Sequence, residues 1–105
     1  MTIRHIVMWR VRGDTPGERQ AACERVRNAF EGLRGRIPGM TRLEIGLDIS
    51  RVDHACDVVL VSDFMSQGAL AAYATHPEHL RVRAELEGIR TARHQVDYLF
   101  TDEPG

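Results

Sequence analysis

Tyr73, His76 and His79 lie within the seven residues Tyr73-Ala74-Thr75-His76-Pro77-Glu78-His79, the densest group of proton-handling side chains in the chain. A neutral imidazole takes up a proton near pH 7, and a phenol can donate a hydrogen bond to a carbonyl oxygen as it gains charge. His5 adds an imidazole near the N-terminus, in a run otherwise made of apolar side chains. Such a set suits removal of a proton from a carbon beside a carbonyl, the step shared by aldol cyclisation, isomerisation and retro-aldol cleavage. His79, or a His79–His5 pair, would be the base and Tyr73 the hydrogen-bond donor. His76 and His79 flank Pro77, so they do not share one regular helical face as the two histidines of His-Glu-x-x-His zinc sites do. They are not read as metal ligands, and His76 is expected to cap the helix junction. His54 falls in a polar turn, and His94 opens the last strand with its role open. No nucleotide, flavin or haem motif accompanies these residues, so the chemistry would need no cofactor.

Four strands and two helical regions must hold these groups. Residues 3–11 are rich in β-branched and aromatic types and predict a strand, with His5, Val7, Trp9 and Val11 on one face and Ile6 and Met8 on the other. Thr15-Pro16-Gly17-Glu18 reads as a capping box with proline in the first helical turn. Ala22, Val26, Ala29, Phe30, Leu33 and Ile37 then recur every three or four residues, predicting a helix to about residue 36 that Pro38-Gly39 stops. Leu43, Ile45, Leu47 and Ile49 alternate with polar residues or glycine, predicting a second strand with one wet face. Residues 57–64 predict a third strand, and Ser66 can cap a short helix through Tyr73. His76-Pro77 breaks that helix because the residue before proline avoids the α region, and Pro77 can open another. His94 to Phe100 predicts the last strand, and residues from about 101 to 105 a tail.

The resulting order, β-α-β-β-α-β, is the split βαβ or ferredoxin-like arrangement, an α+β fold whose sheet order is 4-1-3-2. Strands one and three are then central, and both are apolar on two faces, although the helices cover only one. A second copy of the sheet is the expected cover, which makes the chain a homodimer. The 105 residues fit one domain, residues 1–105. The 14 basic residues, all arginine, are scattered against 15 acidic ones, giving a net charge of -1, which argues against a nucleic-acid partner. No apolar run approaches about 18 residues, so no membrane span is expected, and a cytoplasmic location is. Cys23 and Cys56 show no ligand spacing and are expected to be reduced.

These residues also carry a resemblance. Ile3-Arg4-His5-Ile6-Val7-Met8-Trp9, Pro38-Gly39 followed by Leu43-Glu44-Ile45-Gly46, Cys56-Asp57-Val58-Val59-Leu60-Val61, and above all Tyr73-x-x-His76-Pro77-x-His79 resemble the stress-responsive A/B barrel (Dabb) family over about residues 2–101. The resemblance implies a dimeric α/β barrel of ferredoxin-like protomers. One plant member is a polyketide cyclase that closes a ring by an aldol step without a cofactor; others are stress-induced proteins without an assigned reaction, and some bind magnesium near the dimer interface. By this resemblance His5, Tyr73 and His79 would be catalytic, and Val7, Trp9, Asp57 and Val59 would touch a small apolar or aromatic, ketide-like ligand. Asp57 stands at or near the place of a further histidine of the cyclase pocket. A non-catalytic, stress-protective or ligand-binding dimer and a cofactor-free monooxygenase are the alternatives left open.

Overall fold

The computed structural model describes residues 1–101, so the tail expected at 101–105 lies, apart from Thr101, outside the described residues. The elements are β1 (Thr2–Val11), α1 (Pro16–Glu31), β2 (Met40–Leu47), β3 (Val58–Phe64), α2 (Gln67–Ala74), α3 (Pro77–Glu85) and β4 (Arg90–Phe100). The four strands form one antiparallel sheet in the order β2-β3-β1-β4, the ferredoxin-like order expected, with the second helical region divided at His76-Pro77 into α2 and α3.

The helices lie on one face. Val7, Trp9, Val58 and Leu60 of the central strands pack there with Val26, Phe30, Val82 and Leu86 from the helical segments, all at most 3 % exposed. The other face is open within the protomer. Ile6, Val59 and Val61 are half-buried there, and Met8, Val96 and Tyr98 are exposed. The bidentate pair Arg4–Asp63, with N···O distances of 2.8 and 3.0 Å, closes one end of this face.

Local chemistry sets most of the boundaries. Thr15 Oγ1 accepts the Glu18 N–H at 3.1 Å, as a capping box requires, while the Glu18 carboxylate reaches one residue further back, to the Asp14 N–H. Three boundaries differ from the sequence pattern. α1 ends at Glu31 rather than near residue 36. Past Gly32 the backbone changes to i→i+3 turns (Leu33 to Phe30, Arg34 to Glu31, Arg36 to Leu33), and Gly35 takes φ 75°. Leu33 and Ile37 still reach the core, so the apolar spacing outlasts the helix that would normally produce it. β2 ends at Leu47 and leaves Ile49 94 % exposed, because Asp48 accepts the N–H groups of Ser50 and Arg51 and turns the chain away. β4 begins at Arg90, four residues before His94 and two after Gly88, which takes φ 80°. At the junction of α1 and β2, Gly39 has φ 80°, and a Cβ there would meet the Ala69 Cβ at 2.6 Å; its bareness lets α2 close on the sheet.

Candidate active site

Between the helix-covered face of the sheet and α2–α3 lies a cavity of about 590 Å³. His5, Tyr73 and His79 all line it, with Val7, Trp9 and Leu60 from the sheet. The three groups proposed from the sequence for proton chemistry therefore meet at one place.

His5 comes from the middle of β1 and is 6 % exposed. An imidazole so placed needs a partner, and the antiparallel register supplies one: Asp97 of β4 stands directly opposite, and its Oδ1 lies 2.5 Å from His5 Nδ1. A carboxylate can only accept, so Nδ1 carries a proton, and in the neutral ring it is Nε2 that holds the lone pair. The Gln95 amide donates to the other Asp97 oxygen at 2.9 Å and fixes the carboxylate.

Tyr73 ends the buried side of α2. Its ring is 6.3 Å from His5, 5.2 Å from Phe64 and 4.3 Å from His79, centroid to centroid. The ring is 3 % exposed, and its hydroxyl has no hydrogen-bond partner, a costly state for a buried donor. Burial pushes the phenol up to about 12, against the pull of Arg90 and Arg93. The folded chain thus holds this proton more tightly than the unfolded chain, whose tyrosines ionise near pH 10. Folding is therefore unaffected by this group below pH 10 and becomes less favourable as pH rises toward 12, by on the order of 3 kcal/mol, because only the unfolded chain ionises freely there. Ultraviolet titration of wild type against Tyr73→Phe should show a phenol ionising near pH 12 that the variant lacks; ionisation near 10 would contradict this burial.

His79 sits in the first turn of α3. Its Nδ1 donates at 3.1 Å to the carbonyl of Ala74, one of the carbonyls left over at the end of α2. Nε2 is thereby left as an acceptor. Burial, more than the nearby Arg83 and Arg90, holds the ring below the usual histidine range, so it is neutral at pH 7.

The remaining histidines are elsewhere. His76 caps α3: its Nδ1 accepts the Glu78 N–H at 3.1 Å, the structural role expected of it. His54 and His94 line a second cavity, of about 550 Å³, on the open face of the sheet.

Asp57 and Val59 line that second cavity, not the one at His5, so the residues expected to contact substrate divide between two faces. The reason for Asp57 is specific. The β1–β4 register shifts at Arg10–Val11, and the Val11 N–H turns to Asp57 Oδ2 at 2.9 Å, while Arg51 donates to Oδ1 at 3.1 Å. Asp57 closes the end of the sheet. Val59 alternates onto the opposite side from Leu60. Trp9 lines the first cavity, but its ring is stacked on Phe30 at 5.1 Å and is chiefly packing.

Sequence reasoning missed Asp97 behind His5 and the arginines Arg83, Arg90 and Arg93 at the cavity. Aligning the first and last strands antiparallel would have placed an acid opposite His5. Arg90 and Arg93 carried no signal, since they lie ahead of the apolar residues that mark the last strand. Among the described residues no three His, Cys, Asp or Glu side chains converge as metal ligands. Cys23 and Cys56 are free, the first buried and the second half-buried. No helix among the described residues is long and apolar enough to cross a membrane.

The family model of the stress responsive A/B barrel domain matches residues 3–100. Comparison with curated proteins gives no match. Among solved structures, a dimeric protein of unknown function with a ferredoxin-like fold from Bacteroides fragilis is 30 % identical, with a TM-score of 0.82 over 94 % of this chain and 96 % of that one. A dimeric ferredoxin-like protein of unknown function from Thermobifida fusca is 27 % identical, with a TM-score of 0.79 over 95 % and 92 %. The hydroxynitrile lyase of Passiflora edulis is 17 % identical, with a TM-score of 0.77 over 99 % and 97 %, a likeness of fold.

Proposed function

The chain belongs to the stress-responsive A/B barrel family, and on that premise we propose that it is a homodimer whose protomers each carry a pocket for cofactor-free proton transfer beside a carbonyl. The observation that carries this reading is the meeting, at one cavity, of His5, held from behind by Asp97, with Tyr73, whose buried hydroxyl has no partner. Were these groups only satisfying one another in a polar core, the space would be filled and the hydroxyl bonded.

Asp97 fixes the His5 tautomer and stabilises the imidazolium that forms when Nε2 takes a proton from the substrate carbon. The electron pair of that C–H bond moves into an enolate, whose oxygen would receive the Tyr73 hydrogen bond. His79, neutral and with Nε2 free, is a second acceptor beside the same phenol. The enolate is then either reprotonated at another position, which is isomerisation, or attacks a second carbonyl, which is aldol closure of a ketide-like chain. Retro-aldol cleavage runs the second route backwards. The same fold serves a hydroxynitrile lyase in Passiflora edulis.

Pairing of the open sheet faces is supported by Ile6, Met8, Val59, Val61, Val96 and Tyr98, apolar side chains that the helices do not cover. The Bacteroides fragilis and Thermobifida fusca neighbours are described as dimeric. Light scattering should give twice the 11.9 kDa of the chain, and Val61→Asp should shift the protein to the monomer mass. A monomer at micromolar wild-type concentration would sink the dimer.

The chemistry is tested by proton NMR in deuterated water with a panel of aryl ketones and 2-oxo acids. Wild type should speed exchange of the protons next to the carbonyl, and His5→Ala and His79→Ala should each bring it close to the buffer rate with the dimer intact. A rate unchanged in either variant removes that ring from the mechanism. No acceleration for any member of the panel would remove proton abstraction altogether.

A further inference from the structure

Three arginines, Arg83 of α3 and Arg90 and Arg93 of β4, line the cavity at His5, and no acidic side chain lines it with them. The chain as a whole carries a net charge of -1, so this concentration of positive charge is local to the cavity. Six arginines elsewhere form ion pairs within the described residues, among them Arg4 with Asp63, Arg34 with Glu31, Arg51 with Asp57 and Arg81 with Glu78 and Glu85, while Arg12, Arg25 and Arg27 are unpaired there but do not line the cavity. Among the described residues, Arg83, Arg90 and Arg93 have neither an ion pair nor a side-chain hydrogen bond.

Arg90 is the innermost. It is half-buried, with its guanidinium carbon 5.1 Å from the centre of the Trp9 ring and 5.8 Å from that of Phe30. The rings hold the cation by their faces but leave its N–H donors without an acceptor. Burial, and then the like charges of Arg83 and Arg93, push the Arg90 guanidinium below its usual range, the mark of a cation lacking its counter-charge. Beside it the buried Tyr73 hydroxyl is a second donor without a partner.

Taking the cavity as the substrate pocket described above, we propose that its substrate is an organic carboxylate, held through Arg90 with Arg83 and Arg93 supporting, its apolar body against Val7 and Leu60. The planar guanidinium fork matches a carboxylate through two parallel hydrogen bonds, and a bound anion supplies the charge that no acidic residue of the cavity provides. The apolar sheet side chains favour an aromatic or conjugated acid over a bare inorganic anion.

Calorimetric titration of the intact protein with phenylpyruvate, its uncharged methyl ester and inorganic phosphate tests this. Phenylpyruvate should bind at least tenfold more tightly than the ester, and phosphate more weakly than phenylpyruvate. Arg90→Gln should erase the preference for the acid over the ester. Because Arg90 also packs on Trp9, Arg93→Gln, at an exposed position, serves as a second variant and should reduce the preference severalfold. An ester that binds as well as the acid, phosphate that binds more tightly, an undetectable acid at millimolar concentration, or a preference unchanged in both variants would each overturn the proposal. Following deuterium exchange into the phenylpyruvate methylene in the same samples separates the two readings. Binding preference without exchange removes the base chemistry and keeps the anion site; exchange without preference does the reverse.

Discussion

Asp97→Asn should lower turnover of an enolisable substrate by about 10²- to 10⁴-fold while leaving KM and thermal stability close to wild type. The carboxylate accepts the His5 Nδ1 proton, and in the proposed mechanism its charge also stabilises the imidazolium formed when Nε2 takes the substrate proton. Asparagine keeps the shape but loses the charge, and its amide nitrogen can donate to Nδ1. The ring then carries its proton on Nε2, where it can no longer act as a base. The effect belongs in kcat because the lost interaction strengthens only as charge develops on the ring. Stability should change little, since the Asp97 side chain is 34 % exposed, and a partly solvated pair of this kind contributes about 1 kcal/mol or less. Exchange rates by NMR beside a thermal melt decide it. A variant that melts much lower but turns over normally would make the pair a structural brace.

Tyr73→Phe should move activity and stability in opposite directions. The hydroxyl is buried and unbonded, so removing it ends a desolvation penalty and should leave stability unchanged or raised by on the order of 1 kcal/mol. If the same hydroxyl receives the enolate oxygen, its loss should slow turnover by about 10²- to 10³-fold. Chemical denaturation and exchange kinetics on one preparation give both readings. A less stable variant with normal turnover would mean that the hydroxyl has a structural partner and no part in the chemistry. The opposed signs matter, because a substitution that merely loosened the fold would lower both quantities together.

Much of the protein was legible before its structure. The two-faced character of residues 3–11 and 57–64 follows from side-chain alternation and points to central strands. The caps at Thr15, Ser66 and His76 and the break at Pro77 are written in residues that act on their own backbone. From these the topology follows, and with it the placement of His5 among apolar neighbours. Because topology brings β1 beneath α2 and α3, the grouping of His5, Tyr73 and His79 was legible too.

Elsewhere local patterns misled. Leu33 and Ile37 keep helical spacing after the helix has ended, since tighter turns bury them equally well. Ile49 continues an alternation that Asp48 has already cut short. β4 is an edge strand with mostly exposed side chains, so its first four residues carry no apolar signal to mark them as strand. Those same residues bring Arg90 and Arg93 to the cavity.

What the sequence by itself determined is therefore the fold, the faces of its central strands and the three proton-handling groups of the pocket, because alternation, capping and proline act over a few residues. The tertiary structure alone decided how those groups are equipped. Cross-strand register set Asp97 against His5, the Val11 N–H at the register shift engaged Asp57 at the end of the sheet, and the early start of β4 brought Arg90 and Arg93 to the cavity. Each of these depends on which residue stands opposite which across distant strands, a relation fixed when the sheet assembles.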